Sequence, residues 1–314
     1  MNSPAPGASG HLSAPLFDTV AIIGVGLIGS SLALNIREQG LARRVVGVSR
    51  SQENRETILQ RGLVDSVTDD AAEAVVGADC VLLCTAVGAY ATLAEQIAPH
   101  LSAGCIVSDV GSTKGSVIAD IQPHLPDNVH FVPAHPIAGT EQSGPEAGFA
   151  SLYRDRWVIL TPLPDCPREP VERIAALWRA CGAMIDEMEA LHHDRVLAMT
   201  SHLPHLIAYT IVDTATQLED DLKSEVIKFS ASGFRDFTRI AGSDPTMWRD
   251  VFLNNREVVL DLLQRFQEDL VNMQRAIRRE DGDFLFKRFT ETREIRSSIV
   301  EARQAGQFIP TEGD

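Results

Sequence analysis

Short apolar runs alternate with amphipathic stretches along the first part of the chain, and that rhythm predicts an α/β domain. Asp18–Ile23, Val45–Ser49, Ala78–Thr85, Cys105–Val110, Val129–Val132 and Arg156–Pro162 are mostly apolar, as strands buried on both faces must be. Between them, Leu32–Gln39, Gln52–Gln60, Ala71–Val76, Ala91–His100, a segment from Gly115 to Ile121, and Val171–Cys181 read as helices. One more short strand is expected at Met184–Met188. There the alternation stops. From His192 onward the pattern is helical: Ser201–Gln217 interrupted by Pro204, Met247–Asp269 capped by Ser243-Asp244-Pro245, then Val271–Ile277 and Asp283–Ala302. The expected organisation is a disordered tail at 1–15, an α/β domain at 16–188 and an all-α domain at 189–314. The helical domain is more apolar than a segment of its length buries alone, which predicts a homodimer through its helices.

Composition narrows the function classes. The 314 residues include 44% hydrophobic ones, enough for a sizeable core. The formal net charge is −15, which argues against a nucleic-acid partner, because phosphate must be met by a basic surface. A small anionic substrate needs only one local Arg or Lys. Five cysteines occur with no CxxC pair, the usage of a reducing cytoplasm, which is the expected location. Met1–Pro15, rich in Ser, Pro, Gly and Ala, lacks the charged and apolar regions of a signal peptide, and no apolar run is long enough to predict a membrane span.

The first strand runs into Gly24-Val25-Gly26-Leu27-Ile28-Gly29, a GxGxxG turn with a helix and a second strand behind it. In that context the motif predicts a Rossmann-type dinucleotide site. Gly24 permits the tight turn, Gly26 the approach of a pyrophosphate, and Gly29 close helix–strand packing; Leu27 and Ile28 open the helix whose N-terminus faces the phosphates. At the end of the second strand stands Ser49-Arg50, where a carboxylate would read the ribose of NAD. Its absence leaves NAD or NADP open and leans toward NADP, unless Arg50 is simply a solvated loop charge. Thr85, Ser112 and His135 all follow strand ends, where ligands of an open parallel sheet gather.

His135-Pro136-Ile137-Ala138-Gly139-Thr140-Glu141 is the strongest catalytic candidate, although a histidine beside prolines can also be a plain turn residue. In the helical half, His202 and His205 lie three apart; no third ligand of matching pattern accompanies them, so no metal is expected. Arg235 and Arg239 flank Asp236 in a dense polar segment, suited either to gripping a carboxylate or to a solvated salt-bridge cluster.

Taken together, Ile23–Ser31, Asp109-Val110-Gly111-Ser112-Thr113-Lys114, His135–Glu141, Ser201-His202-Leu203-Pro204-His205, and Gly233–Arg239 followed by Ser243–Trp248 resemble the prephenate/arogenate (cyclohexadienyl) dehydrogenases of tyrosine biosynthesis, of the single-function bacterial type. The resemblance runs in order over about residues 18 to 305. It implies a Rossmann-type domain with a C-terminal helical dimerisation domain, and oxidative decarboxylation of prephenate or arogenate with hydride transfer to NAD(P). By the same resemblance His135 takes the proton of the ring hydroxyl and Ser112 orients it or that hydroxyl. Arg239 grips a substrate carboxylate with Asp236 as its orienter, and His202 and His205 line the pocket. Glu141 gates its mouth and Trp248 reaches in from the partner subunit. Chorismate mutase and ACT domains, present in some relatives, have no room here. Two alternatives share parts of this plan. A β-hydroxyacid dehydrogenase or imine reductase would normally place a lysine on a second-domain helix, a motif missing here. A non-catalytic dinucleotide sensor would have no reason to keep His135, Ser112 and Arg239 together.

Overall fold

The computed structural model describes residues 14–217, 225 and 228–301. The tail expected at 1–15 lies almost wholly outside these. By packing the described residues divide into two units: 14–194 together with Gly242–Asn254, and those within Arg195–Ala241 together with 255–301.

The first unit is built on six parallel strands, β1 (Phe17–Ile23), β2 (Ala42–Val48), β3 (Ser66–Thr68), β4 (Cys80–Leu83), β5 (Ile106–Asp109) and β6 (His130–Val132), in the order β3-β2-β1-β4-β5-β6. The order reverses between β1 and β4, the switch point at which a doubly wound sheet opens its ligand crevice. Strands β4 and β5 are buried at every position, as their unbroken apolar runs require. One layer of core, from Val81, Leu83 and Val107 to Tyr90, Val117 and Ile121, packs the sheet against helices α4 (Tyr90–Ile97) and α5 (Gly115–Ile121).

Helix α1 (Leu27–Glu38) starts inside the glycine motif, five residues before the expected Leu32. Strand periodicity hides this start, because Val25, Leu27 and Ile28 continue an apolar run. Gly24 sits at φ +96, and a side chain there would strike Cys84 O and Thr85 Cγ2 at 2.8 Å. A Cβ at Gly29 would collide with the Gly24 carbonyl.

The strand at Val129–Val132 does not carry the chain directly to an open sheet edge at His135. Ala134–Pro136 forms its own strand, β7, in a second sheet with β8 (Trp157–Leu160) and β9 (Met184–Glu187). β7 runs antiparallel to β8, with His135 opposite Ile159, and β9 lies parallel to β8. Between the first and second sheets, α6 (Arg168–Ala180) buries Ile174, Leu177 and Trp178, the helical spacing read from the sequence.

In the region of the chain beyond β9, α7 (Ala190–Leu197) leads to a π-helical turn, Ala198–His202, and then α8 (Leu203–Thr216). Pro204 therefore does not break the helix. It sits in the first turn of α8, where its missing N–H is tolerated, and the wider π turn absorbs the mismatch just before it. The helix expected over Met247–Asp269 is two, Pro245–Asn254 and Arg256–Arg278, divided at Asn255, and Val271–Ile277 belongs to the second. Asp244 caps the first of them, accepting from Thr246 N and Met247 N at 2.8 and 2.9 Å. Among the described residues no helix is long and apolar enough to cross a membrane.

Candidate active site

The dinucleotide end of the first unit is shaped by what is missing. Gly26 is the N-cap of α1, with no side-chain cap bond and no acidic residue in the first turn. A Cβ at Gly26 would meet no protein atom within 4 Å. Packing does not demand a glycine there; a pyrophosphate approaching the helix N-terminus does, so this turn fits the group its motif implies. Hydroxyls tie the first turns of α1 inward: Ser30 Oγ donates to Gly26 O at 2.6 Å and Ser31 Oγ to Leu27 O at 2.7 Å. At the end of β2, Arg55 Nη1 donates to the carbonyls of Ser49 and Arg50 at 2.8 and 2.9 Å, and its guanidinium pairs with Asp69 at 3.4 Å. Ser51 caps the following helix, α2 (Gln52–Gln60). The β2–α2 turn thus presents the half-buried Ser49 and the exposed Arg50 on a fixed backbone, with the Asp69 carboxylate tied to the same Arg55.

His135 is 7% exposed. Its strand is clamped by a buried ion pair that follows β5: Lys114 Nζ lies 2.5 Å from Asp109 Oδ2 and donates to Ala134 O at 2.7 Å. Asp109 Oδ1 accepts from Ala134 N at 3.2 Å, and Oδ2 from Gly111 N at 2.7 Å. Both main-chain groups of the residue before His135 are therefore held by one charge pair. Burial pushes the Lys114 ammonium below its ordinary range and the Asp109 carboxyl above its own, each opposed by the partner's charge.

The histidine ring has a partner that sequence reading passed over. His135 Nδ1 lies 2.8 Å from His193 Nε2, with the rings edge-on at 66°. His193 Nδ1 is in turn 2.9 Å from Asp194 Oδ1. The two oxygens of Asp194 accept from the N–H groups of Lys114 and Gly115 at 2.7 and 2.8 Å, at the entry to α5. His193-Asp194 reads in the sequence only as the opening of a helix; no local pattern connects it to position 135. Ser112 lies half-buried in the β5–α5 turn, two residues before Lys114. Thr85 stands past the end of β4, its methyl against the Gly24 turn.

The loop after His135 is held to the dinucleotide helix. Arg61 donates to the carbonyls of Pro145 and, at 2.9 Å, of Gly148. Phe149 N donates to Ser31 Oγ at 3.0 Å, Asn35 Nδ2 to Ala150 O at 2.8 Å, and Tyr153 Oη to Ile28 O at 2.6 Å. Glu141 is exposed on that loop. Trp248 is buried in the same unit, tilted against Phe252 at 5.5 Å between ring centroids.

In the second unit His202 is fully buried in the π turn, and Asn255 Nδ2 lies 3.1 Å from its Nδ1. The helix break at Asn255, unforeseen in the sequence, delivers that amide. His205, one turn on, is half-buried, and its Nδ1 donates to Ser201 O at 2.8 Å. Burial lowers the His205 pKa, and the nearby Arg239 charge adds to that against the carbonyl bond. Asp236 and Arg239 are exposed, on and just beyond the Ser232–Thr238 helix.

Residues 32–187 match the family described as prephenate dehydrogenase, nucleotide-binding domain, and residues 189–291 match prephenate dehydrogenase, dimerization domain. The chain is 42% identical to the cyclohexadienyl dehydrogenase of Zymomonas mobilis over 284 residues, covering 90% of this chain and 97% of the relative. It is 33% identical to the prephenate dehydrogenase of Bacillus subtilis, covering 92% and 78%. Among solved structures it is similar to the Aquifex aeolicus prephenate dehydrogenase in complex with hydroxyphenyl propionate and NAD+, with TM-score 0.83, 33% identity, and 90% and 98% of the two chains covered. The chain belongs to the prephenate/arogenate (cyclohexadienyl) dehydrogenase family.

Proposed function

We propose that His135 is the base in this enzyme's NAD(P)-dependent oxidative decarboxylation of prephenate or arogenate. The observation that carries the reading is the placement of His135. It is a buried imidazole on a strand clamped to β5, in the same packed unit as the glycine turn and followed by a loop stapled to α1. The substrate class carries a ring hydroxyl at C4 and a carboxylate at C1. His135 accepts the hydroxyl proton as the C4–H bond breaks with its electron pair. A dinucleotide whose pyrophosphate is held by Gly24, Gly26 and the start of α1 would supply the acceptor for that hydride. The bond to the C1 carboxylate then breaks, CO2 leaves, its electron pair makes the ring aromatic, and the oxygen takes back the proton from His135. Ser112 is assigned to hold His135 or the same hydroxyl. Arg239 grips a carboxylate of the substrate, which its planar fork suits, with Asp236 orienting it. His202 and His205 line the substrate pocket, and Glu141 serves as a gate.

The test is reduced-nicotinamide absorbance followed with prephenate and with arogenate, each with NAD and with NADP. Turnover is expected in at least one of the four combinations; none in any would overturn the assignment.

The β2 end favours NADP, because Ser49 stands where a carboxylate would repel a 2′-phosphate and the exposed Arg50 follows it. Ser49→Asp should lower kcat/KM with NADP at least roughly tenfold, since juxtaposed like charges cost several kcal/mol, while sparing NAD. Equal losses with both cofactors would remove Ser49 from cofactor choice.

A further inference from the structure

The line of groups ending on His135 determines which of its nitrogens can act as a base. Main-chain N–H groups only donate, so both oxygens of Asp194 accept, from Lys114 and Gly115. Burial alone would raise the Asp194 pKa, but its bonds from His193, Gly115 and Lys114 outweigh that and hold it below the usual carboxylate range. An ionised carboxylate has no proton to give, so His193 Nδ1 carries the proton of their 2.9 Å bond.

His193 is fully buried. Burial lowers its pKa. Asp194 and Asp109 pull the other way, and the Lys114 cation adds to the lowering. Asp194 faces it from α7, Asp109 from the end of β5, Lys114 from the β5–α5 turn, and His135 from β7. The neutral ring that results, protonated on Nδ1, has only a lone pair at Nε2. Across the 2.8 Å contact His135 Nδ1 is then the donor, and the lone pair of His135 is left on Nε2.

We infer that Asp194 and His193 are positioning residues that fix the tautomer of His135 and so make its Nε2 the atom that takes the substrate's proton. The inference rests on the reading of His135 as the base and goes beyond it, since a base alone does not specify the nitrogen or what selects it. When His135 is protonated, its Nδ1–H becomes a stronger donor toward His193, with the Asp194 carboxylate one ring further on. The same line thus stabilises the imidazolium that the reaction creates.

The decisive measurement is the ¹⁵N spectrum of the histidine rings in the ligand-free, ¹⁵N-histidine-labelled full-length enzyme, with His135 assigned by difference from His135→Asn. The expected spectrum has His135 protonated on Nδ1 and unprotonated on Nε2. In His193→Phe the acceptor of the His135 Nδ1 proton is gone, so the proton is no longer confined to Nδ1 and the Nε2-protonated ring appears. Turnover then falls by about 10²-fold or more, as loss of a tautomer-setting partner does elsewhere, with KM little changed. Nε2 protonated in the unaltered enzyme overturns the inference, whether or not any variant folds. So does a His193→Phe enzyme with unchanged kcat. If His135→Asn keeps full turnover while Nδ1 is protonated as expected, the base assignment falls and the tautomer assignment stands, so the two failures are distinct.

Discussion

Replacing His135 with asparagine lowers kcat by about 10²–10⁴, the usual worth of a positioned general base. Asparagine tests the chemistry more cleanly than alanine. Its amide can still donate toward His193 Nε2, which lies 2.8 Å from the native Nδ1, so the hydrogen-bonded line into Asp194 is kept. The small volume change falls on a residue whose strand is fixed by main-chain bonds rather than by its own side chain. What asparagine lacks is a basic ring nitrogen. The expected result is therefore a kcat defect with cofactor affinity and melting temperature near those of the unaltered enzyme. The acid limb of the pH–rate profile that reports the neutral imidazole should also disappear. Steady-state rates by nicotinamide absorbance and cofactor titration by fluorescence check these together. An undiminished kcat would make His135 a structural histidine of β7.

Local pattern carried the fold where packing is local or uniform. The strands β1, β4 and β5 show as apolar runs because both of their faces are covered. The glycine turn shows because Gly24 and Gly29 have no space for a side chain. What failed to show depends on partners far along the chain. β7 is three residues long, and its pairing of His135 with Ile159 leaves no trace in the residues beside it. Asn255 interrupts an apolar periodicity that continues on both sides, so only its bond to His202 reveals why a helix ends there. The candidate site divides in the same way. His135 is legible as a histidine past a strand end, whereas the His193–Asp194 line joins positions 114, 135 and 194, which only the folded chain brings together. Lys114 is legible as part of a motif, but nothing in the sequence says that its ammonium is buried.

That burial makes Lys114→Met the largest expected stability effect. Methionine keeps an unbranched stem of similar reach and removes the charge. Lys114 and Asp109 are both fully buried, 2.5 Å apart, so the ammonium is the chief compensation for a carboxylate with no access to water. Burial already drives the Asp109 pKa upward against the pull of Lys114; without that pull the carboxylate must take up a proton or stay charged in an apolar setting. Breaking a buried pair by removing one partner costs about 3–5 kcal/mol. In a domain of this size that corresponds to a melting temperature lower by roughly 6–20 °C. The double variant Lys114→Met/Asp109→Asn should recover much of the loss, because a neutral amide can still accept from Gly111 N or Ala134 N. A double variant no more stable than Lys114→Met would show that the cost was packing and not charge. Activity should fall further than stability explains, even well below the melting temperature. Lys114 also holds Ala134 O, one residue from the His135 ring, and its charge helps keep His193 neutral. With that charge gone, His193 gains a proton more readily as pH falls, and a doubly protonated His193 would offer His135 Nδ1 a donor where it needs an acceptor. The acid limb of kcat should therefore move to higher pH in Lys114→Met, and an acid limb left where it was would confine Lys114 to holding the strand.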